Sequence, residues 1–178
     1  MERTRTVAKP ALLVDGKDGA FRQFIHDFLA YSALVGDVRA GFGAYLGMTG
    51  IAYTTLISIA HLQGREGIGV NAVAEHLHLS GAFITTEVAK LVRSDLVRKR
   101  TNAKDKRRVL LTVTPAGRDR LAGLTAVQAP VNDALFDCLS ATDFERLRAI
   151  MARLVPCGAR AVSLLSFLTE PHERDETG

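Results

Sequence analysis

The residues best equipped for chemistry in this chain are basic and crowded together. Between Arg98 and Arg108 stand seven basic side chains (Arg98, Lys99, Arg100, Lys104, Lys106, Arg107, Arg108) and a single acid, Asp105. The segment carries +6, whereas the whole chain carries +4, so the other 167 residues sum to −2. Charge concentrated in this way is the footprint of polyanion binding; a solvated charge run has the same composition, and the neighbouring elements decide between the two. Within the run, Asp105 lies two residues before Arg107, where a charge-assisted pair can aim the guanidinium. A preorganised arginine on a narrow loop, flanked by Lys104, Lys106 and Arg108, suits the minor groove of DNA, whose negative potential attracts it. The same residues also make a self-neutralising turn.

A second set of side chains belongs with the first. Ser80 is a good N-cap for a helix reaching about Ser94. At 100° per residue, Ile84, Val88 and Leu91 share one face, and Ala82, Thr86, Ala89 and Arg93 lie opposite, flanked by Phe83 and Lys90. A surface of small and hydroxylic residues enters a major groove closely. The expected contact set is Ser80, Ala82, Phe83, Thr85, Thr86, Lys90 and Arg93. Thr86 is placed for a base edge, Ala82 or Phe83 for a thymine methyl, and Lys90 and Arg93 for phosphates. No Arg, Asn or Gln stands at the helix start, so reading by shape and methyl contact is expected rather than a bidentate base contact. An ordinary surface helix is the alternative.

Other chemistries find less support. His76 and His78 are two apart on a helix and point away from each other, so with His26 and His61 they make a poor metal set; no metal and no cofactor is expected. Of the two cysteines, Cys138 lies on an apolar stripe and reads as core. Cys157, with Arg153 and Arg160 nearby, is the one redox candidate. There is no glycine-rich phosphate loop, no Gly-x-Ser-x-Gly and no His-Glu-x-x-His, so an enzyme is not expected.

These side chains need elements to hold them. Residues 1–17 lack periodicity and read as an arm. Asp18 is a candidate cap for a helix bearing Phe21, Phe24, Ile25, Phe28, Leu29, Leu34, Val35, Val38 and Phe42, with Gly41, Gly43 and Gly47 marking a frayed end. Thr49 caps a second helix, and Val70, Val73, Ala74 and Leu77 mark a short third. After the fourth helix, Leu96–Arg100 and Val109–Val113 read as two strands joined by the basic loop. Thr114-Pro115 opens one long helix with its stripe running from Leu121 to Cys138. A last helical stretch around Phe144–Leu154 is expected to break at Pro156, with a short turn or helix beyond. Two helices joined by the tight His78-Leu79 link and followed by a hairpin make a winged helix-turn-helix.

The fold class is therefore mainly α with a small β-hairpin wing. The expected parts are an arm at 1–17, dimerisation helices at 18–47 and 114–169, the winged helix-turn-helix at 48–113 and a tail at 170–178. Helix-turn-helix proteins commonly read two half-sites as symmetric dimers, which gives the apolar terminal helices their role.

Residues 48–121 resemble the multiple-antibiotic-resistance regulator (MarR) family of bacterial transcription factors. The resemblance is carried by Val70–Leu77 with Leu79-Ser80, by Leu96–Arg100, and most of all by Asn102–Gly117. The family's wing typically reads Asp-Pro-x-Asp-x-Arg, then an apolar strand, then Leu-Thr-x-x-Gly. Asp105 and Arg107 occupy the Asp-x-Arg positions, and Thr114–Gly117 matches the close. Asn102-Ala103 replaces the Asp-Pro, Asp95 stands where a glycine usually ends the recognition helix, and the chain beyond Pro156 is longer than the family needs. The resemblance implies a homodimer on double-stranded DNA, with wings in minor grooves, recognition helices in major grooves, and repression relieved by a small effector, often an aromatic acid or its thioester. In the family's effector cleft Arg39 would anchor a carboxylate and Tyr45 and Tyr53 form aromatic walls; a salt-bridged Arg39 and packed tyrosines are the alternative. A redox- or metal-sensing regulator of the same fold, and a winged protein-interaction module, are the rival readings.

Composition agrees. With 47% hydrophobic and 24% charged residues the chain is an ordinary globular protein rather than a disordered or fibrous one. No uninterrupted apolar run approaches the ~18 residues of a membrane span, and the charged start Met1–Thr6 is followed by no apolar stretch. A soluble cytoplasmic protein, away from membranes, is expected.

Overall fold

The computed structural model describes residues 4–102, 105–106 and 108–170. The chain divides after Leu135 into two units. In the first, an arm with a 3-10 turn at Pro10–Leu12 leads to α1 (Gly19–Tyr45). Asp18 stands at the N-cap position but makes no capping bond. Its carboxylate instead accepts from the backbone N–H and the hydroxyl of Thr6, both at 2.8 Å, and pairs with Arg22 at 3.1 Å. Two donors and a cation outweigh the one amide that a cap would bind, so the expected cap is an anchor for the arm. These same bonds to Thr6, and the nearby Arg22 charge, hold the Asp18 carboxyl below its usual 3.8.

α1 also continues through Gly41 and Gly43, where a frayed end is expected. The glycine at 43 serves packing: a Cβ there would lie 2.8 Å from the backbone of Thr49 and Gly50. That approach seats α1 on the start of α2 (Gly50–Leu62), with a bend of 91° between the helices.

Hydroxyl caps set the next helix starts. Thr49 accepts from the Ala52 N–H before α2, and Ser80 accepts from the Phe83 N–H before α4 (Gly81–Arg93). Caps of this kind contribute about 1 kcal/mol each. Between them lie β1 (Ile68–Gly69) and α3 (Val70–Leu77). After α4 come β2 (Val97–Thr101) and β3 (Val109–Val113). The hairpin is the one expected, with Arg98 opposite Thr112 and Thr101 opposite Val109. β1 is an addition: its two residues pair with Leu110 and Leu111, giving an antiparallel sheet in the order β1-β3-β2. Leu56, Ile59, Val73, Ile84, Val88 and Leu111 are wholly buried where α2, α3, α4 and the sheet meet.

The left-handed residues close the turns. His78 (φ 53°) ends α3, and Asp95 (φ 54°) follows α4. The Asp95 N–H donates to the Val92 carbonyl and the Leu96 N–H to the Leu91 carbonyl, the Schellman pattern. A glycine is therefore unnecessary at 95; Asp tolerates this conformation better than most side chains.

The single helix expected from Thr114 is two: α5 (Pro115–Ala122) and α6 (Thr125–Leu135). The break at Gly123-Leu124 lets Leu124 bury completely in a second cluster with Phe42, Leu46 and Tyr53. In the other unit, Ser140 and Asp143 form a reciprocal capping box that opens α7 (Ala141–Thr169). α7 continues as helix through Pro156, against expectation. The proline withholds one N–H, but helix-forming sequence on both sides carries the ladder past it. Cys138, expected as core, is exposed, since the helix that would have buried it ends at Leu135. α7 holds an 18-residue window of mean hydropathy 1.4 and is long and apolar enough to cross a membrane by length and composition; its arginines interrupt every run that a scan for unbroken apolar sequence would find.

Candidate nucleic-acid interface

α4 owes its orientation to the face it buries. Ile84, Val88 and Leu91 enter the core, as their spacing requires, and Ala82, Phe83, Thr85, Thr86, Lys90 and Arg93 remain exposed. Ser80 is occupied as the N-cap. The hydroxyls of Thr85 and Thr86 donate to the carbonyls of Gly81 (2.7 Å) and Ala82 (3.2 Å), which leaves their lone pairs turned outward as acceptors. Phe83 projects at 43% exposure, an apolar probe on an otherwise small-residue surface.

Lys90 is tied more tightly than its sequence position suggests. Its ammonium lies 2.6 Å from Glu87 Oε1, and Glu87 is buried although acidic. Glu87 was open to discovery from the sequence alone: it falls 60° from Ile84 on the helix wheel and three residues before a lysine.

In the wing, the backbone turns where Arg108 N–H donates to the Asp105 carbonyl and Asn102 N–H donates to the Arg108 carbonyl, both at 2.9 Å. Asp105, Lys106 and Arg108 are exposed there. Lys104 and Arg107, the other two expected wing contacts, lie outside the described residues. Farther down the hairpin Arg100 donates to the Glu66 carbonyl, which ties β2 to the loop before β1. Gly117 secures the base of the wing against α5: a Cβ at that position would sit 2.3 Å from the Leu96 carbonyl oxygen.

The residues expected at an effector cleft are distributed differently from one another. Tyr53 is 1% exposed, set edge-on to Phe42, and its hydroxyl accepts from Gln128 Nε2 at 3.1 Å. Burial pushes the Tyr53 phenol above 10.0, and the Arg39 charge opposes that shift. Arg39 donates through Nε to the Thr54 hydroxyl at 3.1 Å. Tyr45 is 60% exposed and lines a recess of about 610 Å³ with Leu46, Asp119 and Arg120.

His61 and His76 approach with ring centroids 6.4 Å apart, and no group of three or more metal-binding side chains occurs among the described residues. Cys157 is exposed, and its Sγ accepts from Arg160 Nη2 at 3.0 Å.

Residues 46–108 match the sequence model of the MarR family. This segment is a MarR-family domain. The match opens at the end of α1, takes in α2, α3 and α4, and closes on the wing. Solved structures share the fold of the MarR-family domain and of the helices around it. The MepR–DNA complex of S. aureus is 19% identical with a TM-score of 0.62, and the alignment covers 75% of this chain and 97% of that one. A mutant MarR from E. coli complexed with operator DNA is 20% identical, TM-score 0.61, covering 75% and 92%. The transcriptional regulator SlyA is 11% identical, TM-score 0.65, covering 80% and 98%. At such identities the likeness is one of fold. No curated protein sequence matches the chain.

Proposed function

We propose that the protein is a sequence-specific DNA-binding transcriptional regulator, acting as a homodimer on a pseudo-palindromic operator in the cytoplasm. The observation carrying this reading is the exposed face of α4 presented beside a basic wing within a MarR-family domain. The solved complexes of MepR and MarR with DNA support it. α4 enters the major groove; the Thr85 and Thr86 oxygens and the apolar Ala82 and Phe83 read it, and Arg93 holds phosphate. Lys90 reaches phosphate by exchanging its bond to Glu87. The wing residues Lys104, Asp105, Lys106, Arg107 and Arg108 occupy the minor groove. Dimerisation covers the apolar residues that α1 and α7 expose, Phe24, Phe28 and Leu29 on one and Leu154 and Leu165 on the other. Repression relieved by a small effector is the regulatory mode, and no catalytic step is assigned.

The test is binding of the purified protein to its own upstream DNA and to a scrambled fragment at near-physiological salt. Preference for the upstream fragment by ~10³ or more is the expected result. No binding to either, even at low salt, overturns the reading.

A further inference from the structure

Three arginines from different elements converge on the side of the domain where the loop after α2 meets the base of the wing. Arg65 comes from that loop, Arg98 from β2 and Arg118 from α5, and together with Gln63, Thr112 and Val113 they line a recess of about 410 Å³. No Asp or Glu is among its lining residues. Its floor is fixed by hydrogen bonds: the Val113 N–H donates to Gln63 Oε1 at 2.8 Å, and Arg118 Nη1 donates to the Val113 carbonyl at 2.9 Å. Arg65 and Arg98 have no ion-pair partner among the described residues. Like charges brought together without an acid repel one another, and a bound anion removes that repulsion.

The recess is separate from the surface assigned to DNA. Arg98 pairs with Thr112 near the foot of the hairpin, and Thr101 ends the ladder at the wing side. Three residue steps along the strand, roughly 10 Å, separate them.

From this arrangement we infer that the recess binds a small phosphorylated organic anion carrying two or more negative charges. Three guanidiniums exceed what one carboxylate neutralises, and their planar forks match phosphate oxygens in bidentate fashion. The volume falls within the range of small-molecule sites and accommodates a di- or triphosphate group. Pro115, which is exposed, supplies apolar wall beside the charges, which a ligand with an organic body uses and a bare ion does not.

The test uses the intact protein and inorganic tripolyphosphate as probe, titrated calorimetrically at constant ionic strength. The expected result is one saturable site per chain. Arg65→Ser or Arg98→Ser weakens it by roughly tenfold or more, while Arg98→Lys, which keeps the charge and loses the fork, falls between. Absence of saturable binding overturns the inference. So does equal weakening by Lys106→Ser, which would mean general attraction to basic surface. A repeat with the protein saturated by upstream duplex DNA separates the two sources of phosphate: retention of the site supports a free ligand, and displacement assigns the recess to the DNA backbone and overturns the proposal. The titration needs no DNA, so its failure leaves the reading of α4 and the wing untouched.

Discussion

Gly117 illustrates how one missing methyl group holds two elements in place. Its α-carbon faces the Leu96 carbonyl so closely that a Cβ would come within 2.3 Å of that oxygen and 2.8 Å of Val113 Cγ1. Neither neighbour is free to yield, because the Leu96 carbonyl accepts from the Thr114 N–H and Val113 is core. Gly117→Ala is therefore expected to destabilise the protein by about 2–3 kcal/mol, read as a lower denaturant midpoint at unchanged slope. Tyr53 makes a prediction of a different kind. Its folded-state phenol titrates above the unfolded value of 10.0 because burial disfavours the phenolate. The unfolded chain then loses the proton first, so stability present below pH 10 drains away as pH rises through the folded pKa. Denaturant curves between pH 9 and pH 11 should fall more steeply for the wild type than for Tyr53→Phe; parallel curves would remove the burial argument.

At the scale of elements, α4 and the hairpin act through different physics, and single substitutions separate them. Arg107→Ala removes one cation from the segment that joins β2 to β3. It should weaken DNA binding across sequences and reduce the slope of log affinity against log salt by about one, with helix content and dimer mass unchanged. Unaltered affinity would mean that the wing does not touch DNA. These two elements were also the most legible ones. The 3.6 periodicity of Ile84, Val88 and Leu91 and the hydroxyl at Ser80 fix α4 to within a residue, and the change to strand pattern after Asp95 locates the hairpin. What escaped reading has physical causes. β1 is two residues long and exists only because β3 offers an edge. The break between α5 and α6 keeps the apolar spacing of a single helix, so periodicity alone passes over it. Pro156 reads as a stop because its local cost is plain, whereas the helix formers on either side act over many residues. The Thr6–Asp18 contact spans twelve residues and has no pattern to reveal it. The candidate interface was readable because its charge is concentrated in one short run and its buried apolar stripe is periodic; the three-arginine recess depends on how separate elements meet.

For the molecule as a whole, the first question is what covers its apolar helices. Phe24, Phe28, Leu29 and Leu34 of α1 are all more than two-fifths exposed. A second copy of the chain is the occupant under the proposed function. Phe28→Glu is expected to convert the dimer to a monomer by light scattering, keep the winged domain folded by circular dichroism, and reduce operator affinity severely, since one half-site cannot supply the affinity of two. A dimeric Phe28→Glu protein would place the interface elsewhere.

The right-angled contact at Gly43 bears on the operator. Backbone meets backbone there, with no side chain between α1 and the start of α2 to compress or rotate. In the proposed dimer α1 is the shaft that joins one copy to the other, and α2 is the first helix of the body that carries α4. A stiff elbow between shaft and body makes the pair of reading heads a caliper of set span. One extra base pair between half-sites would turn one of them about 34–36° around the duplex axis, and a caliper without a hinge has no means of following it.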